Sequence, residues 1–147
     1  MLNDIYNQKI LEFAGNVPLL GHLEAPHGMA KAHSRLCGST VSVEVCLEGD
    51  HVCNFAQDVK ACALGQASAA ILGRHVIGAS RDELVKARDA LKAMLKEGGS
   101  PPEGRFHELA FLEPVKDYKA RHASTMLAFE AVVEAVEKAQ TSAQAGV

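Results

Sequence analysis

The apolar residues change period along the chain, and each change marks an element. Leu2, Tyr6, Ile10 and Phe13 recur at helical spacing, which predicts a helix over Leu2–Ala14 capped by Asn3 or Asp4. Gly15-Asn16-Val17-Pro18 ends it, because proline lacks a backbone N–H and restricts the residue before it. From Leu19 to Leu36 the period is weak, with Pro26 and Gly28 as punctuation, and the stretch reads as a loop leading into an edge strand. Thr40 to Leu47 then alternates strictly. Val41, Val43, Val45 and Leu47 share one face, while Ser42, Glu44 and Cys46 share the other, as in a half-buried strand.

Gly49-Asp50 suits a type II′ hairpin turn, so Val52 to Val59 is predicted to return antiparallel. Two registers are open. A two-residue loop sets Cys46 opposite Cys53, whereas a three-residue loop moves Phe55 and Val59 onto the valine face.

After Cys62 the period becomes helical. Ala63 to Ile77 is rich in small residues that let another backbone approach closely, and Gly78 closes it. Ser80-Arg81-Asp82-Glu83 is a capping box, followed by an apolar stripe of Leu84, Ala87, Leu91 and Leu95. Gly98-Gly99-Ser100-Pro101-Pro102 breaks the pattern as a loop inside one domain. Phe106 to Leu112 predicts a short helix stopped before Pro114, and Met126, Phe129, Val133 and Val136 predict a final helix over Arg121–Ala139.

The order of elements predicts an α+β fold: a small, mainly antiparallel, three-stranded sheet packed against several helices. Residues 1–140 form one domain, and 141–147 form a frayed C-terminal tail of small and polar residues.

Composition narrows the function. The chain has 147 residues and a formal net charge of -3, so it lacks the basic stripe expected of a nucleic-acid binder. No apolar run approaches the roughly 20 residues needed to span a bilayer. Met1-Leu2-Asn3-Asp4 has neither the basic nor the apolar region of an export signal, and a cytoplasmic location is expected. In that setting Cys37, Cys46, Cys53 and Cys62 are reduced thiols or metal ligands rather than a disulfide framework.

Two of the four are placed differently from the others. Cys37 precedes the valine strand and Cys62 follows the return strand, so an antiparallel hairpin brings both to one end of the sheet, 25 positions apart in sequence. Cys62 also falls at a helix N-terminus near Lys60, where dipole and ammonium favour thiolate. Two readings stand for this pair: reactive thiolates, or buried small hydrophobes. Cys46 and Cys53 read as packing residues of the hairpin. His22, His27, His51, His75 and His107 read as surface groups. No phosphate-binding glycine loop or His-Glu-x-x-His pattern occurs, and a dyad of Cys37 or Cys62 with His122 has no recognisable third group, so no enzymatic activity is assigned.

Cys37-Gly38-Ser39 before a valine-alternating strand, followed by Cys62-Ala63-Leu64-Gly65-Gln66-Ala67-Ser68, resembles the NifU/IscU-type iron–sulfur cluster assembly scaffold proteins. Leu112-Glu113-Pro114-Val115, Arg121-His122-Ala123-Ser124 and the opening helix continue the resemblance over about residues 3 to 139. The long stretch between Cys62 and Ala123 resembles the SufU branch.

The resemblance implies a site of three cysteines, an aspartate and often a histidine. Residue by residue, the cysteines fall on Cys37, Cys62 and Ala123, the aspartate on Ser39 and the histidine on His122. It therefore implies Cys37, Cys62 and His122 as the residues binding metal or cluster, with two expected ligands replaced. The cargo implied is an iron–sulfur cluster or iron, with zinc as an alternative. The partners implied are a cysteine desulfurase, which supplies sulfur as persulfide, and cluster-receiving proteins. Two further functions remain open: a scaffold homologue that binds or regulates partners without its own cluster, and a zinc-dependent sulfur carrier. A ligand missing from the set could also come from His33, four residues before Cys37.

Overall fold

The computed structural model describes residues 7–35 and 38–145. Four α-helices, three strands and two 3-10 segments occur among them, and the strands form one antiparallel sheet in the order β1-β2-β3. Helix α1 spans Gln8–Ala14. Strands β1, β2 and β3 span Gly28–His33, Thr40–Glu48 and His51–Lys60. Helices α2 and α3 span Ala63–His75 and Arg81–Glu97. A 3-10 segment over Gly104–Asp117 and a shorter one over Lys119–Arg121 lead into α4, His122–Ala145. This is the expected α+β plan. No helix among the described residues is long and apolar enough to cross a membrane.

The hairpin resolves its register in a way that neither simple loop describes. Glu48 pairs with His51, so the connection is the two-residue Gly49-Asp50, and Gly49 has φ 65, the sign a type II′ turn needs at its first central position. A bulge then follows. Leu47 faces Val52, but Cys46 faces Asn54 and Val45 faces Phe55, leaving Cys53 as the extra residue. The physical reason is burial: Val52 and Phe55 are both buried, and two residues three positions apart share a face only if the alternation is reset between them. Phe55 and Val59 thus join the valine face without a longer loop. Cys53 is exposed on the bulge rather than packed, and Cys46 is half-buried with its thiol donating to Ala25 O at 3.4 Å.

The valine face carries the core. Val41, Val43 and Val45 are buried, α4 packs against β1 and β2, and α2 packs against β3 and α4. Gln57 pairs with Val43 and so also points inward, where its amide donates to Pro18 O at 3.0 Å and Ala69 O at 3.1 Å. The opposite face is crossed by the segment that joins α1 to β1. Gln57 and Leu19–Gly21 exchange backbone hydrogen bonds, Glu44 accepts from Leu23 N, and His27 N donates to Val45 O.

Several boundaries move from expectation. Asn7 caps α1, its side chain accepting from Ile10 N, so the helix starts at Gln8 rather than after Asn3 or Asp4; Leu2 and Tyr6 lie outside the described residues. The Ser80–Glu83 capping box forms as expected, and Leu84, Ala87, Leu91 and Leu95 are all buried. The segment expected to stop before Pro114 continues through it as a 3-10 helix with a kink at Phe106. Burial of Leu109, Leu112 and Val115 keeps the chain turning there. Helix α4 runs on past Ala139 to Ala145, and within it Thr141 Oγ1 donates to Glu137 O at 3.0 Å.

Candidate functional site

The pairing of Thr40 with Lys60 makes the start of β2 and the end of β3 one end of the sheet, and that end carries the site. Cys62 is the N-cap residue of α2, with extended backbone (φ -65, ψ 172) and a half-buried side chain. Two serines from distant parts of the chain hold it. Its backbone N–H donates to Ser39 Oγ at 3.3 Å, and its thiol donates to Ser124 Oγ at 3.4 Å. Both serines are buried.

Close approach of two helices makes this contact possible. A Cβ added at Gly65 would lie 3.2 Å from Ser124 O and 2.7 Å from Ala61 Cβ, so glycine there lets the first turn of α2 sit against the start of α4. Gln66 closes the same turn, its amide donating to Ala61 O at 2.8 Å.

His122 begins α4 and is buried. Its Nε2 lies 3.0 Å from Val115 O and 3.1 Å from Lys116 O. Both partners are carbonyls, so Nε2 carries the proton and donates to them, which leaves Nδ1 as the nitrogen with a lone pair. The ring thereby ties the Leu112-Glu113-Pro114-Val115 segment to the start of α4. Ala123 is exposed, and Ser124, one position on, turns inward to Cys62. Cys37 lies outside the described residues.

His33 pairs with Thr40 and so lies at this same end of the sheet, whereas His22, His27, His51, His75 and His107 make bonds elsewhere. His33 is an exposed residue of β1. His27 Nδ1 accepts from Leu47 N at 2.9 Å, and His22 bonds Glu44 at 2.7 Å. His75 is less of a surface group than its position suggested: it and Arg74 both bond Glu108 on the 3-10 segment. Burial opposes ionisation of Glu108, but the hydrogen bonds from Arg74 and His75 outweigh it and hold the carboxyl below its usual range.

Comparison with known proteins gives this arrangement a family. The pattern of the NifU-like N terminal domain matches residues 5–142, nearly the whole chain. The chain belongs to that family. The solved N-terminal part of a nitrogen-fixing NifU-like protein from Brucella abortus is 54% identical, with a TM-score of 0.93 over 95% of this chain and 97% of that one. The iron–sulfur cluster assembly scaffold protein IscU of Thermotoga maritima is 23% identical over 91% of this chain and 94% of its own length. A putative scaffold protein of the SUF system from Fervidobacterium islandicum, 21% identical with a TM-score of 0.83 over 91% of this chain and 98% of that one, shares the fold.

A cluster is usually held by four thiolates, with imidazole as an occasional substitute, and a structural zinc by four donors of thiolate, imidazole or carboxylate type. Among the described residues no group of three or more His, Cys, Asp or Glu side chains is placed to hold a metal. Cys62 is met by two hydroxyls, those of Ser39 and Ser124, while His122 Nε2 serves the backbone of the 3-10 segment. The described donors alone do not fit a cluster. The sequence marks Ser39 as a substituted ligand still able to hydrogen-bond a neighbouring group, and assigns Ser124 no contact. The sole signal for Ser124 was its place in the Arg121-His122-Ala123-Ser124 motif, since its partner is 62 residues away.

Proposed function

We propose that this NifU-like chain acts in iron–sulfur cluster assembly as a sulfur-accepting scaffold homologue, with Cys62 as the receiving thiol. The observation that carries this reading is the setting of Cys62: a half-buried thiol at the N-terminus of α2, anchored through its N–H to Ser39 and through its sulfur to Ser124. The sulfur step needs a persulfide donor, which a cysteine desulfurase partner supplies. Cys62 Sγ attacks the outer sulfur of the donor persulfide and a new S–S bond forms. The donor's S–S bond breaks, and its inner sulfur leaves with the electron pair and takes up a proton as a thiol. The number of S–S bonds is unchanged, so no outside oxidant is consumed.

Cys37 is the second thiol by resemblance and His122 the third donor, acting through Nδ1. Iron or a cluster carried by this set takes its remaining donors from a partner, either the desulfurase or a cluster-receiving protein. Zinc is the competing cargo. A reducing compartment such as the cytoplasm suits thiols held free in this way.

A second reading, a homologue that binds assembly partners without a cluster of its own, is favoured by the methyl group of Ala123 and by the commitment of His122 Nε2 to two carbonyls. Iron, zinc and acid-labile sulfide analysis of protein purified without oxygen separates the two. Metal of order one per chain, lost in Cys37→Ser or Cys62→Ser, supports cargo binding. Metal-free protein that takes up persulfide at Cys62 supports sulfur carriage alone. Protein that does neither leaves the partner-binding reading.

A further inference from the structure

The hydroxyl of Ser124 has two jobs within reach, and its neighbour frees it to change between them. Its proton points to Arg121 O at 3.1 Å, while its oxygen accepts from the Cys62 thiol at 3.4 Å. Thr125 Oγ1 donates to the same Arg121 O at 2.8 Å. That carbonyl keeps a partner if Ser124 turns its proton elsewhere, so the usual penalty for orphaning a buried acceptor does not apply. Ser124 and Thr125 are both buried, and the close approach at Gly65 fixes the distance between α2 and α4 here.

We infer that Ser124 is a residue of the sulfur-handling step itself. Its hydroxyl orients the Cys62 sulfur at rest, then rotates to donate a hydrogen bond to that sulfur as it gives up its own proton and takes on negative charge ahead of attack. The inference deepens the sulfur-accepting reading and rests on it for its biological meaning. The Cys62 S–H bond breaks as the attacking thiolate forms, its proton balancing the one taken up by the leaving donor sulfur, while the Ser124 O–H bond only reorients. Such a bond to a charged sulfur is stronger than one to a neutral thiol, so it helps the reaction more than the resting state.

The test is the alkylation of Cys62 by iodoacetamide at fixed pH in the reduced full chain, read by mass spectrometry of the Cys62 and Cys53 peptides. Cys53, exposed on the hairpin bulge, is the internal reference for reagent and solvent. Ser124→Ala is expected to lower the ratio of Cys62 to Cys53 rates about tenfold, the worth of one hydrogen bond to a charged atom. Ser124→Thr, which keeps the hydroxyl, is expected to restore most of it. Where Ser124→Ala does not fold, Thr125→Val carries the test: Arg121 O then holds the Ser124 proton, and the ratio is expected to fall, though less. An unchanged or raised ratio in Ser124→Ala, or a loss that threonine does not restore, overturns the assignment. Persulfide uptake at Cys62 from glutathione persulfide is measured in parallel on the unaltered chain. A chain that takes up no persulfide, yet whose alkylation ratio follows Ser124, overturns the sulfur-accepting reading and leaves only the hydrogen bond by which Ser124 tunes the Cys62 sulfur.

Discussion

At the turn end of the β2–β3 hairpin, Cys53 stands exposed on a bulge; at the open end, Cys62 is half-buried between two serines. Both thiols belong to one short stretch, and composition treats them alike. What separates them is the number of elements that arrive at each end. The turn end is met by the loop before α3, through Val52 N to Ala79 O and Gly78 N to Val52 O, and these bonds hold backbone rather than sulfur. The open end receives the loop before β2, the first turn of α2 and the start of α4. A cysteine becomes a candidate for chemistry here because separate parts of the chain converge on it, Ser39 at its backbone N–H and Ser124 at its sulfur.

The widest gap between the two ends is expected in sulfur uptake. Cys62→Ser is expected to reduce persulfide formation on the chain to background, since a hydroxyl without an activating base is a poor nucleophile. Cys53→Ser is expected to leave both uptake and stability unchanged, the latter within about 0.5 kcal/mol. Persulfide-specific labelling and urea unfolding check both, and equal losses in the two variants would erase the distinction.

Stability should differ next. Gly65→Val drives a side chain into Ala61 and the Ser124 carbonyl, with an expected cost of about 2–3 kcal/mol. It also separates α2 from α4, so the Cys62 alkylation rate should drift toward that of Cys53. At the turn end, Gly49→Val meets open space and bears only the strain of its positive φ, about 1–2 kcal/mol. Denaturant midpoints of the two variants measure the difference. Ser80→Ala, which removes half of the capping box beside the turn end, is expected to cost about 1 kcal/mol with no effect on Cys62.

The smallest effect concerns pH, on the sheet face away from the core. The hydrogen bond to His22 holds the Glu44 carboxyl below its ordinary 4.5. Its contribution is present above that value and is lost as pH falls through the lowered pKa. The same bond raises His22 above 6.5, so its contribution is full below 6.5 and fades as pH rises through the raised value. The pair therefore acts most fully between about 4.5 and 6.5. Glu44→Gln should return the His22 ring titration toward 6.5 by NMR while leaving Cys62 reactivity unchanged.

Much of this fold could be read in advance wherever the signal was local. The α3 cap and stripe, the valine alternation of β2 and the Gly49-Asp50 turn are each written within a few residues, and each is found. The bulge was not legible, because it depends on burying Val52 and Phe55 together against helices that come later in the chain. The passage through Pro114 depended on packing in the same way. At the site, the hairpin's topology brought Ser39 beside Cys62 as expected for that sheet end, but the contact with Ser124 links α2 to α4 across 62 residues.

The sequence by itself determined the α+β plan, the family and the position of Cys62 at a helix start, since these follow from periodicity, turn chemistry and motif. Only the tertiary structure decided what surrounds that sulfur. Hydrogen bonds at about 3 Å depend on how closely two helices approach, and that distance is set by the absent side chain of Gly65 and the packing of α4 on the sheet.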